Sequence, residues 1–213
     1  MSKTTDLRRY DDNTRMNHWV IALLFFAAAL SGLAFFHPSM FFFTNLFGGG
    51  VWTRILHPYF GVFMCLSFVG LYVGLHRDNV ITPEDKAWLE KAGQMLKGDK
   101  AGMPPVGKYN AGQKIVFWLM TGSLVVLLLT GLLFWHAWFP DFPIWARRAG
   151  VLLHAVSAVV LGFVFAVLLL WGVWAMRTAY VGWAEHRITE RQFLAVVVRF
   201  VAMYLVLTFF LLS

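Results

Sequence analysis

Four long apolar runs limit what this chain can fold into. Each has about 20 residues or more, enough for a helix to cross a hydrocarbon core of roughly 30 Å. They predict transmembrane helices at residues 17–36, 52–75, 111–138 and 146–179. The chain is 59% hydrophobic and only 14% charged, a composition that excludes the soluble globular class. We therefore predict an all-α integral membrane protein built as a four-helix transmembrane bundle.

The predicted bundle occupies residues 1–180, and residues 181–213 form a separate C-terminal segment. Within that segment, residues 193–212 are mostly apolar but are interrupted by Arg199. A run of this length is a candidate fifth spanning helix, with Arg199 extending to the interface. The alternative is an amphipathic helix that lies in the interface.

The distribution of basic residues predicts the orientation. Residues 1–16 carry four Lys or Arg, and residues 76–109 carry six, whereas residues 39–51 carry none. Because Lys and Arg accumulate on the cytoplasmic side, the N-terminus is predicted to be cytoplasmic. The start lacks a signal-peptide cleavage pattern, so the first helix is expected to be retained. This topology explains the net charge of +7 without a nucleic-acid partner.

Two of the seven histidines lie at matching depth in different helices. His57 and His154 are each about one turn inside the outer end of the second or fourth helix. Two imidazoles placed in this way can bind a haem iron from both sides. The alternative is a pair of histidines that only form hydrogen bonds between helices. Arg54, one turn before His57, suits a haem propionate or serves as an ordinary interfacial anchor.

A polar corner opens the third helix at its predicted cytoplasmic end. Asn110 is a good N-cap, and Gln113 three residues later completes a capping box. The same corner could contact a quinone head group at the inner edge of the membrane. Capping and ligand contact are compatible, so both interpretations stay open.

At this point four ordered motifs resemble a known family. The chain is similar to the cytochrome b (gamma) subunit of membrane-bound respiratory formate dehydrogenases, and more distantly to the cytochrome b subunit of nickel–iron hydrogenases. The resemblance covers residues 7–160, and the motifs that carry it are RMNHW at 15–19, RILHPYFG at 54–61, KYNAGQK at 108–114 and LLHA at 152–155.

The resemblance implies two b-type haems and a set of partners in the bacterial cytoplasmic (inner) membrane. His57 and His154 would ligate the outer haem, which receives electrons from an iron–sulfur beta subunit. His18 would ligate the inner haem, and Asn110 and Gly112 would lie beside a menaquinone or ubiquinone site. Formate would be oxidised by a separate molybdenum or tungsten subunit on the outer face.

One ligand of that pattern is missing. The family's second histidine on the fourth helix lies fourteen residues after the first, and here that position is Leu168. Leucine cannot ligate iron, which makes the inner haem doubtful. Three accounts stay open: the inner haem is absent, His76 or Met176 substitutes as a ligand, or His18 alone holds a five-coordinate haem.

We therefore expect a non-catalytic electron-transfer subunit that binds one haem b. The chain has no residue constellation for formate oxidation, so that chemistry belongs to partner subunits and their cofactors. The competing class is a membrane anchor that has lost the inner haem and complete quinone reduction. A transporter is disfavoured because no predicted span contains an acidic residue.

Overall fold

The computed structural model describes residues 10–96, 102–198 and 200–201, and these residues contain helices and connecting segments but no strand. Four of the described helices are long and apolar enough to cross a membrane, as predicted. They are Asp12–Phe36 (α1), Gly50–Leu75 (α2, continued to Asn79 by a 3₁₀ turn), Ala111–Phe134 (α5) and Ile144–Ala184 (α6). Two short helices, Pro83–Glu90 (α3) and Ala92–Leu96 (α4), precede α5.

The chain divides into two compact units, Met1–Leu161 and Gly162–Ser213. The second unit contains the end of α6 and a further helical stretch at 190–198, where the rings of Trp183 and Phe193 stack at 5.1 Å. Most of the predicted fifth helix, residues 193–212, lies outside the described residues, so that helix stays a prediction. The first unit contains His57 and His154.

Helix α1 begins five residues earlier than predicted because it has an acidic N-cap. The Thr14 amide donates to the Asp11 carboxylate at 2.6 Å, satisfying one of the unpaired amides of the first turn. The Thr14 side chain and, to a smaller extent, the Thr14 amide lower the pKa of Asp11 through their hydrogen bonds. The helix ends at Phe36, as predicted, since His37 precedes a proline and takes an extended conformation.

The segment between α1 and α2 is largely helical. Residues Pro38–Phe47 form a 3₁₀ helix, which ends at Gly48 with a φ of 84°. That left-handed conformation is readily available only to glycine. Thr53 in the first turn of α2 is fully buried, and its hydroxyl donates to the Gly49 carbonyl at 2.9 Å.

The predicted end of the third spanning helix at residue 138 is wrong. Helix α5 ends at Phe134, because Trp135 leaves the helical region and residues 135–138 form a turn closed by the Trp138 amide on the Trp135 carbonyl. Two nearby prolines, Pro140 and Pro143, disfavour helix before them. Helix α6 then starts at Ile144 and ends at Ala184, longer at both ends than the predicted 146–179.

The core of the first unit lies in the middle of the bundle. Among the described residues, one cluster of buried apolar side chains has a member from each long helix: Ile21, Met64, Leu124 and Leu161. Only 11–22% of each hydrophobic span is buried inside the chain. Most of the apolar side-chain surface therefore faces outward, as expected for helices that contact lipid or neighbouring subunits.

A buried ion pair attaches the surface helix to the bundle. The helical stretch at 83–96 is interrupted at Lys91, which leaves the helical region, so the stretch forms two helices, α3 and α4. Helix α3 starts with the Thr82–Asp85 capping box. The Lys114 ammonium of α5 donates to the Asp85 carboxylate at 2.7 Å, and both side chains are only 9% exposed.

Removing the charge of Asp85 should destabilise the protein. Asp85→Asn leaves the buried Lys114 ammonium without an anion, which should lower the free energy of unfolding by about 1–3 kcal/mol. Thermal denaturation of the full-length protein in detergent measures the effect. Glu185→Gln is the matched control, because the Glu185–Arg187 ion pair is exposed and should contribute little. Equal melting temperatures for Asp85→Asn and wild type would contradict the assignment.

The same pair should make stability depend on pH. The Lys114 hydrogen bond holds the pKa of Asp85 below its usual value, with smaller contributions from Thr82. A lowered folded-state pKa stabilises the fold above the unfolded-state pKa of about 3.9, and this stabilisation is lost as the pH falls through the folded value. The melting-temperature difference between wild type and Asp85→Asn should be full at pH 6–7 and should shrink below about pH 4.

Candidate functional site

The structure brings His57 of α2 and His154 of α6 together near one end of the bundle. Their ring centroids are 6.3 Å apart, with an angle of 66° between the ring planes. His57 is in the second turn of α2 and His154 is in the third turn of α6, and the C-terminal ends of α1 and α5 lie at the same end. Both histidines are partly buried.

Each histidine has a hydroxyl on its Nδ1 atom. The Oγ of Ser31 in α1 lies 2.8 Å from Nδ1 of His57, and the Oγ1 of Thr130 in α5 lies 2.8 Å from Nδ1 of His154. Ser31 is fully buried and Thr130 is 4% exposed. The two contacts are equivalent: a hydroxyl near the C-terminal end of one helix contacts a histidine near the N-terminal end of the next long helix.

The hydroxyl proton in each contact is already used within its own helix. Ser31 donates to the Ala27 carbonyl at 2.6 Å, and Thr130 donates to the Val126 carbonyl at 2.6 Å. A hydroxyl has one proton, so each oxygen must act as the acceptor toward its histidine. We therefore assign the proton of both neutral imidazoles to Nδ1.

The same hydroxyls lie near a second backbone carbonyl of their own helix. The Oγ of Ser31 lies 3.1 Å from the Ala28 carbonyl oxygen, and the Oγ1 of Thr130 lies 3.3 Å from the Leu127 carbonyl oxygen. A carbonyl can only accept, so these contacts also use the hydroxyl proton and leave each hydroxyl oxygen as the acceptor for its imidazole. The free lone pair of each ring is therefore on Nε2, and Nε2 is the atom available to a metal.

Two glycines allow the helices to come close to the rings. A Cβ on Gly32 would lie 3.2 Å from Cε1 of His57, and one on Gly131 would lie 3.5 Å from Cε1 of His154. Each glycine directly follows the hydroxyl residue. Beside the pair there is open space, since a Cβ on Gly61, one turn after His57, would meet no heavy atom within 4 Å.

This donor set fits a haem. Two imidazoles that held one metal ion would have ring centroids roughly 6 Å apart, because each metal–nitrogen bond would be about 2 Å long and the radius of each ring adds to it. The observed 6.3 Å agrees with that value. Among the described residues no group of three or more His, Cys, Asp or Glu converges, so these two neutral nitrogens are a donor set suited to haem iron rather than to a tetrahedral zinc site.

The other predicted haem residues are more exposed. The Arg54 guanidinium lies 5.9 Å from the Phe35 ring centroid, at the same end of the bundle as the histidine pair. His18 in α1 is exposed, and its ring makes an edge contact with Trp19. Leu168 is an exposed residue of α6 and belongs to the second unit, whereas His18 belongs to the first unit.

The predicted quinone corner has the expected capping geometry. The Gln113 amide donates to the Asn110 side chain at 2.9 Å, and the Asn110 amide donates to the Gln113 side chain at 3.1 Å. The structure adds Trp88 of α3, which is buried and lies beside Gly112, where a Cβ would be 3.7 Å from the indole. The corner is therefore partly covered by the surface helix.

The remaining histidines have local or solvent-facing environments. Nδ1 of His76 contacts the Tyr72 and Val73 carbonyls of its own helix at 3.1 and 3.0 Å. Nδ1 of His37 contacts the Ser39 hydroxyl at 2.8 Å. His37, His136 and His186 are all exposed.

Sequence reasoning missed Ser31 and Thr130. The signal was present as an internal repeat, Leu-Ser-Gly-Leu at 30–33 and Leu-Thr-Gly-Leu at 129–132, each followed by a histidine 26 or 24 residues after its hydroxyl residue. The Asp85–Lys114 pair was also missed, since nothing in the sequence shows that α3 folds onto α5.

The profile of prokaryotic cytochrome b561 matches residues 9–167. A second profile, described as a protein of unknown function, matches residues 144–212.

Curated relatives cover most of the chain. The cytochrome b556(Fdn) subunit of the nitrate-inducible formate dehydrogenase of Escherichia coli (strain K12) is 33% identical over 192 residues, 90% of this chain and 88% of the relative. The cytochrome b556(fdo) subunit from the same strain is 35% identical over 179 residues, 84% of each chain. A formate dehydrogenase cytochrome b556 subunit of Haemophilus influenzae is 31% identical over 191 residues, 88% of this chain and 80% of the relative. The chain therefore belongs to the prokaryotic cytochrome b561 family of membrane cytochromes b.

Proposed function

We propose that this chain is the membrane-anchoring, haem b-binding electron-transfer subunit of a formate dehydrogenase-type complex. The observation that carries the proposal is the His57–His154 pair, whose ring spacing and Nδ1 contacts would let the two Nε2 atoms hold one haem iron. When bound, haem supplies one-electron carrier chemistry that no amino-acid side chain of the chain offers. The chain itself would hold and orient the two ligands, and the Phe134 ring packs 5.5 Å from the His154 ring.

The direction of electron flow follows from the topology. The N-terminus is placed in the cytoplasm by the positive-inside rule, so the histidine pair lies near the outer face of the cytoplasmic membrane. An iron–sulfur subunit would contact the same end, where exposed aromatic side chains lie in the 3₁₀ helix and in the 135–145 region: Phe41, Phe42, Trp138, Phe142 and Trp145. A catalytic molybdenum or tungsten subunit would bind beyond it.

The acceptor side is proposed at the Asn110–Gln113 corner. Asn110, Gly112 and Gln113 lie at the opposite end of the bundle from the histidine pair, beside the buried Trp88. A polar amide beside an indole suits a quinone head group, which needs a hydrogen-bond donor and an apolar face. Menaquinone or ubiquinone would be reduced there with cytoplasmic protons.

A second candidate function is a membrane anchor without complete quinone reduction. Leu168 favours it, because an inner haem would need a second ligand for His18 and leucine offers none. We propose one haem per chain. The single-haem subunit and the anchor differ in their haem content, because the anchor without haem gives no cytochrome spectrum.

The histidine substitutions test the proposal. His57→Ala and His154→Ala should each abolish the reduced cytochrome b spectrum of the purified full-length chain, because an iron that loses one of two axial ligands is held far more weakly. His136→Ala is the control, since this exposed histidine lies at the same end of the bundle. Haem retained at about one per chain in both variants would contradict the proposed ligands. Two haems per wild-type chain would contradict the single-haem proposal.

The quinone site needs variants that separate capping from ligand contact. Asn110→Ser keeps an N-cap acceptor, whereas Asn110→Ala removes it and should cost about 1 kcal/mol of stability. If Asn110 contacts quinone, both variants should slow the reoxidation of the reduced chain by a soluble quinone analogue. Normal reoxidation by Asn110→Ser, with a loss only of stability in Asn110→Ala, would assign Asn110 to capping alone.

A further inference from the structure

Two equivalent contacts hold the histidine pair, and neither is part of the ligand set itself. In each contact a buried hydroxyl and the glycine after it, from α1 or α5, pack against one imidazole of the neighbouring long helix. The members are Ser31 and Gly32 on His57, and Thr130 and Gly131 on His154. Both Nδ1–oxygen distances are 2.8 Å.

We propose that Ser31 and Thr130 are positioning residues that set the electronic character of the two haem ligands. The inference rests on the proposed haem site at His57 and His154. Each hydroxyl oxygen accepts the Nδ1 proton, which leaves Nε2 unprotonated and directs its lone pair to the metal. An acceptor on Nδ1–H also makes the imidazole a better electron donor, which favours the ferric state over the ferrous state.

The donation of each hydroxyl to its own helix makes this arrangement specific. Ser31 is oriented by the Ala27 carbonyl and Thr130 by the Val126 carbonyl, both at 2.6 Å. With its proton used there, each oxygen has only acceptor capacity left for the imidazole. A serine or threonine that lacked this internal bond could donate to Nδ1 instead and select the tautomer that cannot bind through Nε2.

The Ser31 and Thr130 hydroxyls should have equal effects on the midpoint potential of the bound haem. Because the hydroxyl and the glycine after it recur on both sides, the two proposed haem ligands have nearly the same surroundings. Removing either hydroxyl should therefore shift the midpoint potential of the bound haem in the same direction and by a similar amount. Removing both should give about the sum of the two shifts.

The test uses the full-length chain with haem bound. Ser31→Ala and Thr130→Val remove one hydroxyl each, and the second preserves the shape of the side chain. Each should raise the midpoint potential by shifting the ferric–ferrous equilibrium up to tenfold, which corresponds to about 59 mV for a one-electron couple. Ser31→Thr and Thr130→Ser keep the hydroxyl and should stay close to the wild-type potential.

Thr121→Val is the matched control. Thr121 lies on α5, partly buried, and its hydroxyl donates to the Phe117 carbonyl at 2.8 Å in the same i to i−4 pattern. The contacts of Thr121 do not include a histidine ring among the described residues, so this variant should leave the potential unchanged. It measures the effect of losing an intrahelical hydroxyl bond by itself.

Each outcome of these measurements either supports or overturns the inference. Unchanged potentials in Ser31→Ala and Thr130→Val, with haem bound, would overturn the inference while leaving the proposed haem site intact. An equal shift in Thr121→Val would overturn it as well. If Ser31→Ala loses haem but Ser31→Thr keeps it, the hydroxyl is required and the inference is supported; loss of haem in both overturns it. Retention of haem in His57→Ala would instead refute the haem site itself.

Discussion

The hydrogen bonds between two buried hydroxyls and two imidazoles are the interactions on which the rest of the site depends. In an apolar span an unpaired imidazole N–H would be costly, so each ring must find an acceptor on a neighbouring helix. Ser31 and Thr130 satisfy that need and at the same time fix which nitrogen stays free. The same contacts therefore join α1 to α2 and α5 to α6, and they determine which nitrogen of each imidazole can bind a metal.

The opposite end of the bundle is organised by charge instead. There α3 is attached to α5 by the Asp85–Lys114 pair, and Trp88 covers the glycine beside the helix cap. An ion pair at this depth is tolerated because both groups are hydrogen-bonded and close to the aqueous interface. The chain thus combines a neutral end, where hydroxyls support the histidine pair, with a charged end.

The four spans and the pairing of His57 with His154 could be predicted because hydrophobic length and histidine depth are properties of single segments. The roles of Ser31 and Thr130 could not. A hydroxyl residue that bonds to its own helix looks the same in sequence whether or not an imidazole lies opposite, as Thr121 shows. The end of α5 was predicted too late because hydrophobicity continues through Trp135–Trp138 although the backbone turns there. Whether a histidine lies opposite such a hydroxyl depends on how neighbouring helices align, which the sequence of one segment does not show.

Because the hydroxyl–glycine pattern occurs twice, each half of the bundle contains one histidine together with the residues that contact it. The hairpin of α1 and α2 contains one imidazole with its complete support, and α5 with the start of α6 contains the other. Each half orients one of the two proposed ligands, and the proposed haem site forms only where the halves meet. Changes that loosen the packing between the halves would therefore weaken haem binding at the proposed site while leaving both tautomers in place, and haem retention would then measure how the two hairpins associate.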